Sequence, residues 1–282
     1  FRESVLLQEE LGYALVPGPY LSTILLGGFP ILNLGKEPHR RELLPGIIDG
    51  GIHATMTFPA QGEFDPQARP YLEYKGGRLR GPALSIWEGM NADWLIATAR
   101  DRNSKDAIWA LIPRRCPGVS MHLLASADRT RRLCDIAFRS VEVPANRILR
   151  MPWSRVEEVF LRAAVGLAAE MIGGAQRVVD MCAGYARQRT QFGRPIGSFQ
   201  SMQHRLADLQ VAVENARSMV YYAAWASDTK TRDWTMAASM AKVAAGDVFV
   251  HVAQLGIHIH GALGFTWEHD MHLFFRRALM SR

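Results

Sequence analysis

The sequence predicts an α+β fold, mainly α: a partial N-terminal helical region over residues 1–50, a small antiparallel β domain over 51–150, and a C-terminal four-helix bundle over 151–282. Three observations carry this. Apolar residues recur at helical spacing toward both ends of the chain, short β-type runs alternate with turns in the middle, and the texture changes at Gly50-Gly51 and again at Pro152. With 282 residues, 48% of them hydrophobic, the chain can bury a sizeable core in one large or two ordinary domains.

Val5, Leu6, Glu9, Glu10 and Leu11 sit at helical spacing before Pro17-Gly18-Pro19 stops the run, and Glu37 to Leu44 reads as another short helix. The opening Phe1-Arg2-Glu3-Ser4 reads as the middle of a helix, and Arg282 interrupts an apolar run, so further chain is expected beyond both ends. Strands are expected at His53–Phe58, Tyr71–Tyr74, Trp94–Thr98, Ile108–Ile112 and Ile136–Val141. Gly76-Gly77 is placed to turn a hairpin.

From Pro152 onward three long helical patterns run with few breakers before Gly256. Met202, Leu206, Leu209, Val213, Ala216 and Val220 step by three and four, as one face of a packed helix must. Met236, Met240, Val243, Val250 and Ile257 are expected to continue that buried face on the next helix, the methionines as core filler rather than ligands. The fourth helix would come from the segment after Met271 or from a symmetry mate.

Cys116, Cys134 and Cys182 have no metal-ligand spacing and are too few for a disulfide framework, which fits a reducing cytoplasm. The net charge of +6 comes from scattered residues and short pairs such as Arg114-Arg115 and Arg276-Arg277, not from a nucleic-acid-binding stripe. Anionic small molecules fit such a balance better. No run of about eighteen uncharged apolar residues calls for membrane insertion.

Two runs stand out: Arg189-Thr190-Gln191-Phe192-Gly193-Arg194-Pro195-Ile196-Gly197-Ser198-Phe199-Gln200, and His260-Gly261-Ala262-Leu263-Gly264-Phe265. The first resembles the R-x-x-F-G-x-x-I-x-x-F-Q segment of acyl-CoA dehydrogenases, and the second their H-G-G-x-G-F segment. Asp128-Arg129-Thr130-Arg131-Arg132 and Val141-Glu142-Val143-Pro144-Ala145-Asn146 look like the end of that family's middle domain and the entry to its bundle. The resemblance implies an acyl-CoA dehydrogenase-like fold and FAD as cofactor. It also implies an acyl-CoA substrate, an electron-transferring flavoprotein or other acceptor, and a homo- or hetero-oligomer with FAD at subunit boundaries.

By that resemblance Arg189 binds the FAD pyrophosphate of a neighbouring subunit, with Gln191 and Phe192 beside it; a guanidinium offers several fixed donors to such a group. Read without the family, Arg189 is better taken as a helix C-terminal arginine facing the helix dipole. Gly261, Ala262 and Gly264 form a turn whose backbone N–H groups can face phosphate oxygens. The family usually has a second Gly at Ala262 and a Gln at His258; Ala costs little if φ stays negative, and His258 still offers a donor to an adenine edge. Trp87, within Ser85-Ile86-Trp87 where the family carries W-I-T, can stack near the isoalloxazine but lacks the threonine hydroxyl. His260, His269 and His272 invite a metal reading, against which their spacing matches no compact zinc motif and Trp267–Asp270 serves to cap the next helix.

The implied reaction is α,β-dehydrogenation: a carboxylate removes the α-proton and hydride passes from Cβ to flavin N5. The catalytic residue is unknown. One family position for the base falls on Ala163, the other a few residues beyond Arg282, and Glu157, Glu158 and Glu268 are the substitutes in view. Thr57-Phe58-Pro59-Ala60-Gln61-Gly62-Glu63-Phe64-Asp65 also departs from the family's T-E-P-x-A-G-S-D. A catalytically silent partner subunit of a heteromeric dehydrogenase is therefore the alternative, with an oxidase variant and a cofactor-free helical interaction protein behind it.

Overall fold

The computed structural model describes residues 1–57, 72–104 and 106–282. Two compact units emerge, one of Phe1–Pro17 with Ala164–Arg282, the other of Gly18–Ala163. The expected strand residues Phe58 and Tyr71, and the segment Phe58–Asp65, lie outside the described residues.

The Gly18–Ala163 unit begins with a π-helical segment, Leu21–Gly28, followed by α2 (Phe29–Leu34) and α3 (Glu37–Ile48), the helix of the first unit being α1 (Arg2–Tyr13). The strands are β1 (Ala54–Met56), β2 (Glu73–Lys75), β3 (Arg78–Trp87), β4 (Trp94–Asp101), β5 (Ala107–Pro113), β6 (Val119–Leu124), β7 (Leu133–Glu142) and β8 (Ile148–Met151). They form one sheet in the order β6-β7-β3-β2-β4-β5-β8, with β1 also on β4. Gly76 and Gly77, at φ 56° and 80°, make the expected two-residue turn between β2 and β3. The pairing is antiparallel except that β1 and β2 each run parallel to β4. Leu79, Ile86, Leu95, Ile108, Ile136 and Val141 pack the core of this unit. Sequence reading missed β6 and β8: β6 is largely exposed, so it lacks the buried alternation that marks a strand.

The other unit holds most of α4 (Trp153–Gln188) with α5 (Gln200–Thr229), α6 (Trp234–His260) and α7 (Met271–Ser281), joined by α1. Leu209, Val213, Ala216 and Val220 of α5 are buried as their spacing predicts. The expected core face of α6 is corrected: Met236, Met240 and Val243 are exposed, and the buried face is Ala237, Ala238, Ala241, Ala245, Phe249, Ala253 and Gly256. Small residues win that face because α6 lies against its neighbours at close range. A Cβ on Gly256 would stand 2.7 Å from both Val178 of α4 and Met271 of α7, and one on Gly174 would stand 2.6 Å from Phe249. Among the described residues one helical stretch, Trp234–Phe265, is long and apolar enough to cross a membrane by length and composition; its packing against α5 and α7 gives that apolarity a bundle role.

Helix α1 crosses α4 with almost no space between backbones. A Cβ at Gly12 would fall 2.0 Å from the carbonyl oxygen of Glu170, and one at Gly173 would fall 1.9 Å from that of Glu9. Around this crossing Arg217 Nε donates to Glu9 and Tyr13 Oη donates to Asp180. The geometry gives a sharp expectation. Gly173→Ala should destabilise by about 1–3 kcal/mol, because neither backbone has room to yield. Gly184→Ala on the same helix, with nothing within 4 Å, should stabilise by about 0.5–1 kcal/mol. Denaturant unfolding of the two variants checks both signs.

Candidate functional site

Arg189 ends α4, exposed, and its carbonyl accepts the Ile196 N–H at 2.8 Å. That bond closes a small hairpin of β9 (Thr190–Gln191) and β10 (Arg194–Pro195). Its turn is Phe192-Gly193, at φ 53° and 77°. Glycine takes that region freely, whereas a phenylalanine there is held at a cost of about 1–2 kcal/mol. The Phe192 ring is nevertheless 92% exposed, touching Phe199 edge-on. Arg194 covers the face of Phe199 at 4.1 Å, and a Cβ on Gly197 would press within 3.0 Å of the Ala186 carbonyl, so the hairpin folds back on α4. Among the described residues the Arg189 guanidinium has no hydrogen bond or ion pair.

At the end of α6, His258 is exposed and Gly261 breaks the helix at φ 62°, ψ −140°, with open space where a Cβ would be. The turn Gly261–Phe265 is a short 3₁₀ segment. Gly264 is needed for a different reason, since a Cβ there would stand 2.9 Å from the Ile257 carbonyl. Ala262 keeps a negative φ, the condition under which Ala replaces Gly at little cost. Gly261 and Ala262 are exposed and Gly264 is buried.

Tyr185, one helical turn before Arg189, stacks on His260 with ring centroids 4.4 Å apart. The hairpin and the glycine turn therefore leave neighbouring helix ends. His260 is buried and its Nδ1–H donates to the Gly256 carbonyl at 2.8 Å. His269 packs on the other side at 4.6 Å. Its Nδ1 accepts the Met271 N–H at 3.1 Å and so caps α7; Asp270, the residue at the cap position, makes no side-chain cap bond. Capping by Trp267–Asp270 was expected, but an imidazole as the acceptor was not, because histidine is not among the usual cap residues. Among the described residues no group of three or more His, Cys, Asp or Glu side chains is placed to hold a metal ion.

Trp87 belongs to the Gly18–Ala163 unit, at the end of β3, where Ser85 and Glu88 on either side take φ 56° and 55°. The Arg131 guanidinium lies over its ring at 4.8 Å, and its carbonyl accepts the Thr55 hydroxyl at 2.8 Å. Buried Glu88 anchors the turn by accepting from Asn91 and from the Arg132 backbone. Sequence reading missed the Tyr185 and Arg131 contacts; Tyr185 left only the trace of sharing a helix end with Arg189.

Most of the positions in view are unpromising as bases. Ala163 is buried and inert, Glu158 is paired with Arg155 at 3.0 Å, and the Glu268 carboxyl is held below its usual range chiefly by a hydrogen bond from Thr266; Glu157 is half-buried on the first turns of α4. Nor are the thiols nucleophiles: burial pushes Cys134 up to about 11 and Cys182 up to about 12.

Residues 153–282 match the profile described as the C-terminal domain of acyl-CoA dehydrogenase. The chain is 32% identical to acyl-CoA dehydrogenase IpdE2 of Mycobacterium tuberculosis over 98% of its length and 71% of the relative's. Butyryl-CoA dehydrogenase of Megasphaera elsdenii shares the fold, with a TM-score of 0.90 at 24% identity over 98% of this chain and 76% of that one. The ChsE4–ChsE5 complex of Mycobacterium tuberculosis is similar at TM-score 0.87 and 26% identity, over 99% and 75% of the two chains.

Burial lowers the proton affinity of His260 first of all, with His269 adding to it, and burial does the same for His272. Both are thus favoured as neutral rings in the folded chain. Their contribution to stability is complete above the unfolded value of about 6.5 and is lost as pH falls below it. The thermal midpoint is expected to be level above pH ~7 and to decline between pH ~6.5 and ~5. His260→Phe should make that decline shallower in a scan across the same range.

Proposed function

The chain belongs to the acyl-CoA dehydrogenase family, and from that premise we propose that it takes part in FAD-dependent α,β-dehydrogenation of an acyl-CoA thioester. The observation that carries the reading is the pair formed by an unpartnered, exposed Arg189 and a glycine turn with open backbone at Gly261. Both fit a diphosphate: one offers a planar fork of donors, the other a bend of backbone that no side chain screens at Gly261. Arg189 would hold the FAD pyrophosphate of a neighbouring subunit with Gln191 and Phe192 beside it, and His258, Gly261, Ala262 and Gly264 would line the adenosine side of that coenzyme. Trp87, in the other unit, would stack near an isoalloxazine. When bound, FAD supplies the acceptor for the hydride that leaves Cβ of the thioester.

What this chain contributes is binding and orientation. Arg189 neutralises anionic charge, Gly261 admits close approach, and the Phe192-Gly193 turn presents an aromatic face outward. Removal of the α-proton needs a carboxylate, and Ala163 with the paired or hydrogen-bonded glutamates gives a specific ground for the second reading. In that reading this chain is the silent partner in a heteromer and a companion chain brings the base. A similar structure is itself a complex of two different chains, ChsE4–ChsE5. In either case electrons pass on to an electron-transferring flavoprotein or another acceptor. The exposed Met236, Met240 and Val243 of α6 suit burial in an oligomer of like or unlike chains.

Arg189→Ala should weaken FAD binding about 10- to 100-fold, the worth of a hydrogen-bonded charge, as read from flavin fluorescence on titrating apoprotein. Undiminished binding, alone and with companion chains, would remove the reading. Anaerobic titration with acyl-CoA then separates its two forms: bleaching of about one FAD per subunit in the chain purified by itself makes it a complete enzyme, and bleaching only after a companion is added makes it the partner.

A further inference from the structure

Ring stacking and opposite tautomers at the end of the bundle carry an inference about how the glycine turn is held. His260 must carry its proton on Nδ1, because the Gly256 carbonyl facing it only accepts. His269 must leave Nδ1 bare, because the Met271 N–H points at it. The two rings lie 4.6 Å apart, with Tyr185 of α4 on the far side of His260 at 4.4 Å. The turn Gly261–Phe265 starts directly after His260, and three residues separate its end from His269, so the ring cluster flanks it on both sides in sequence. Its own side chains do little to hold it: Ala262, Leu263 and Phe265 are exposed, and Gly261 touches nothing through a side chain.

We propose that Tyr185, His260 and His269 are positioning residues, a three-ring clamp that fixes the backbone of Gly261–Phe265 so that the turn stays presented to the coenzyme's diphosphate. This rests on the flavin reading above.

Two substitutions separate the ring from its hydrogen bond. His269→Asn keeps an acceptor for the Met271 N–H and removes the ring; His269→Phe keeps a ring and removes the acceptor. The expected result is that His269→Asn weakens FAD binding about fivefold, the worth of a stacked aromatic contact, and lowers hydrogen-exchange protection across 261–265. His269→Phe should stay within about twofold. Tyr185→Leu, on the opposite face of His260, should reproduce the Asn phenotype if the His269 variants fold poorly. Unchanged protection of 261–265 in His269→Asn and Tyr185→Leu, or equal damage from Asn and Phe, would overturn the clamp. Exchange is read without ligand, so it judges the clamp even if Arg189→Ala shows that FAD is not held here.

Discussion

Close contact between helices at residues without side chains is the constraint on which the helical unit depends. Gly12 and Gly173 let α1 and α4 meet backbone to backbone, Gly174 receives the Phe249 ring, and Gly256 receives Val178 and Met271 at once. At such distances packing is decided by excluded volume, and the positions of α4, α6 and α7 cannot drift independently. Because α4 and α6 are locked in this way, their ends come out side by side, and the residues that follow them, Arg189 and Gly261, inherit a fixed relation. The buried pair of Glu170 and Arg277 ties α4 to α7 in the same unit.

The candidate site is accordingly a product of helix termini rather than of side-chain chemistry. Its hairpin is turned by Phe192-Gly193 in the left-handed region and its glycine segment by a φ that only glycine accepts cheaply. Backbone strain of this kind persists only where the surroundings over-determine it. Those surroundings are Arg194 on Phe199 on one side and the stack of Tyr185, His260 and His269 on the other. The result is a pair of exposed loops carried on rigid elements.

Family membership and individual chemistry part company at the base. The fold follows the family, while the position expected for one carboxylate holds Ala163, and Glu158 is engaged with Arg155. A fold specifies where a site stands and leaves the reaction to the residues placed in it.

Periodicity alone determined the element order, the buried stripe of α5 through Leu209, Val213, Ala216 and Val220, and the Gly76-Gly77 hairpin, since each is set by neighbours in sequence. The motifs at Arg189 and Gly261 were legible only as a pair and through their resemblance to a family, since an arginine at a helix end or a glycine bend alone serves many purposes. Tertiary structure decided the rest. Which face of α6 is buried depended on how near α4 and α7 come, so alanines went inward where methionines had been expected. The parallel pairing of β1 with β4 depended on a partner far along the chain, and β6, though paired with the next strand, is too exposed to announce itself by buried alternation. The histidines took the roles of stack and cap because a ring's function is set by what faces each of its nitrogens, and sequence spacing does not carry that information.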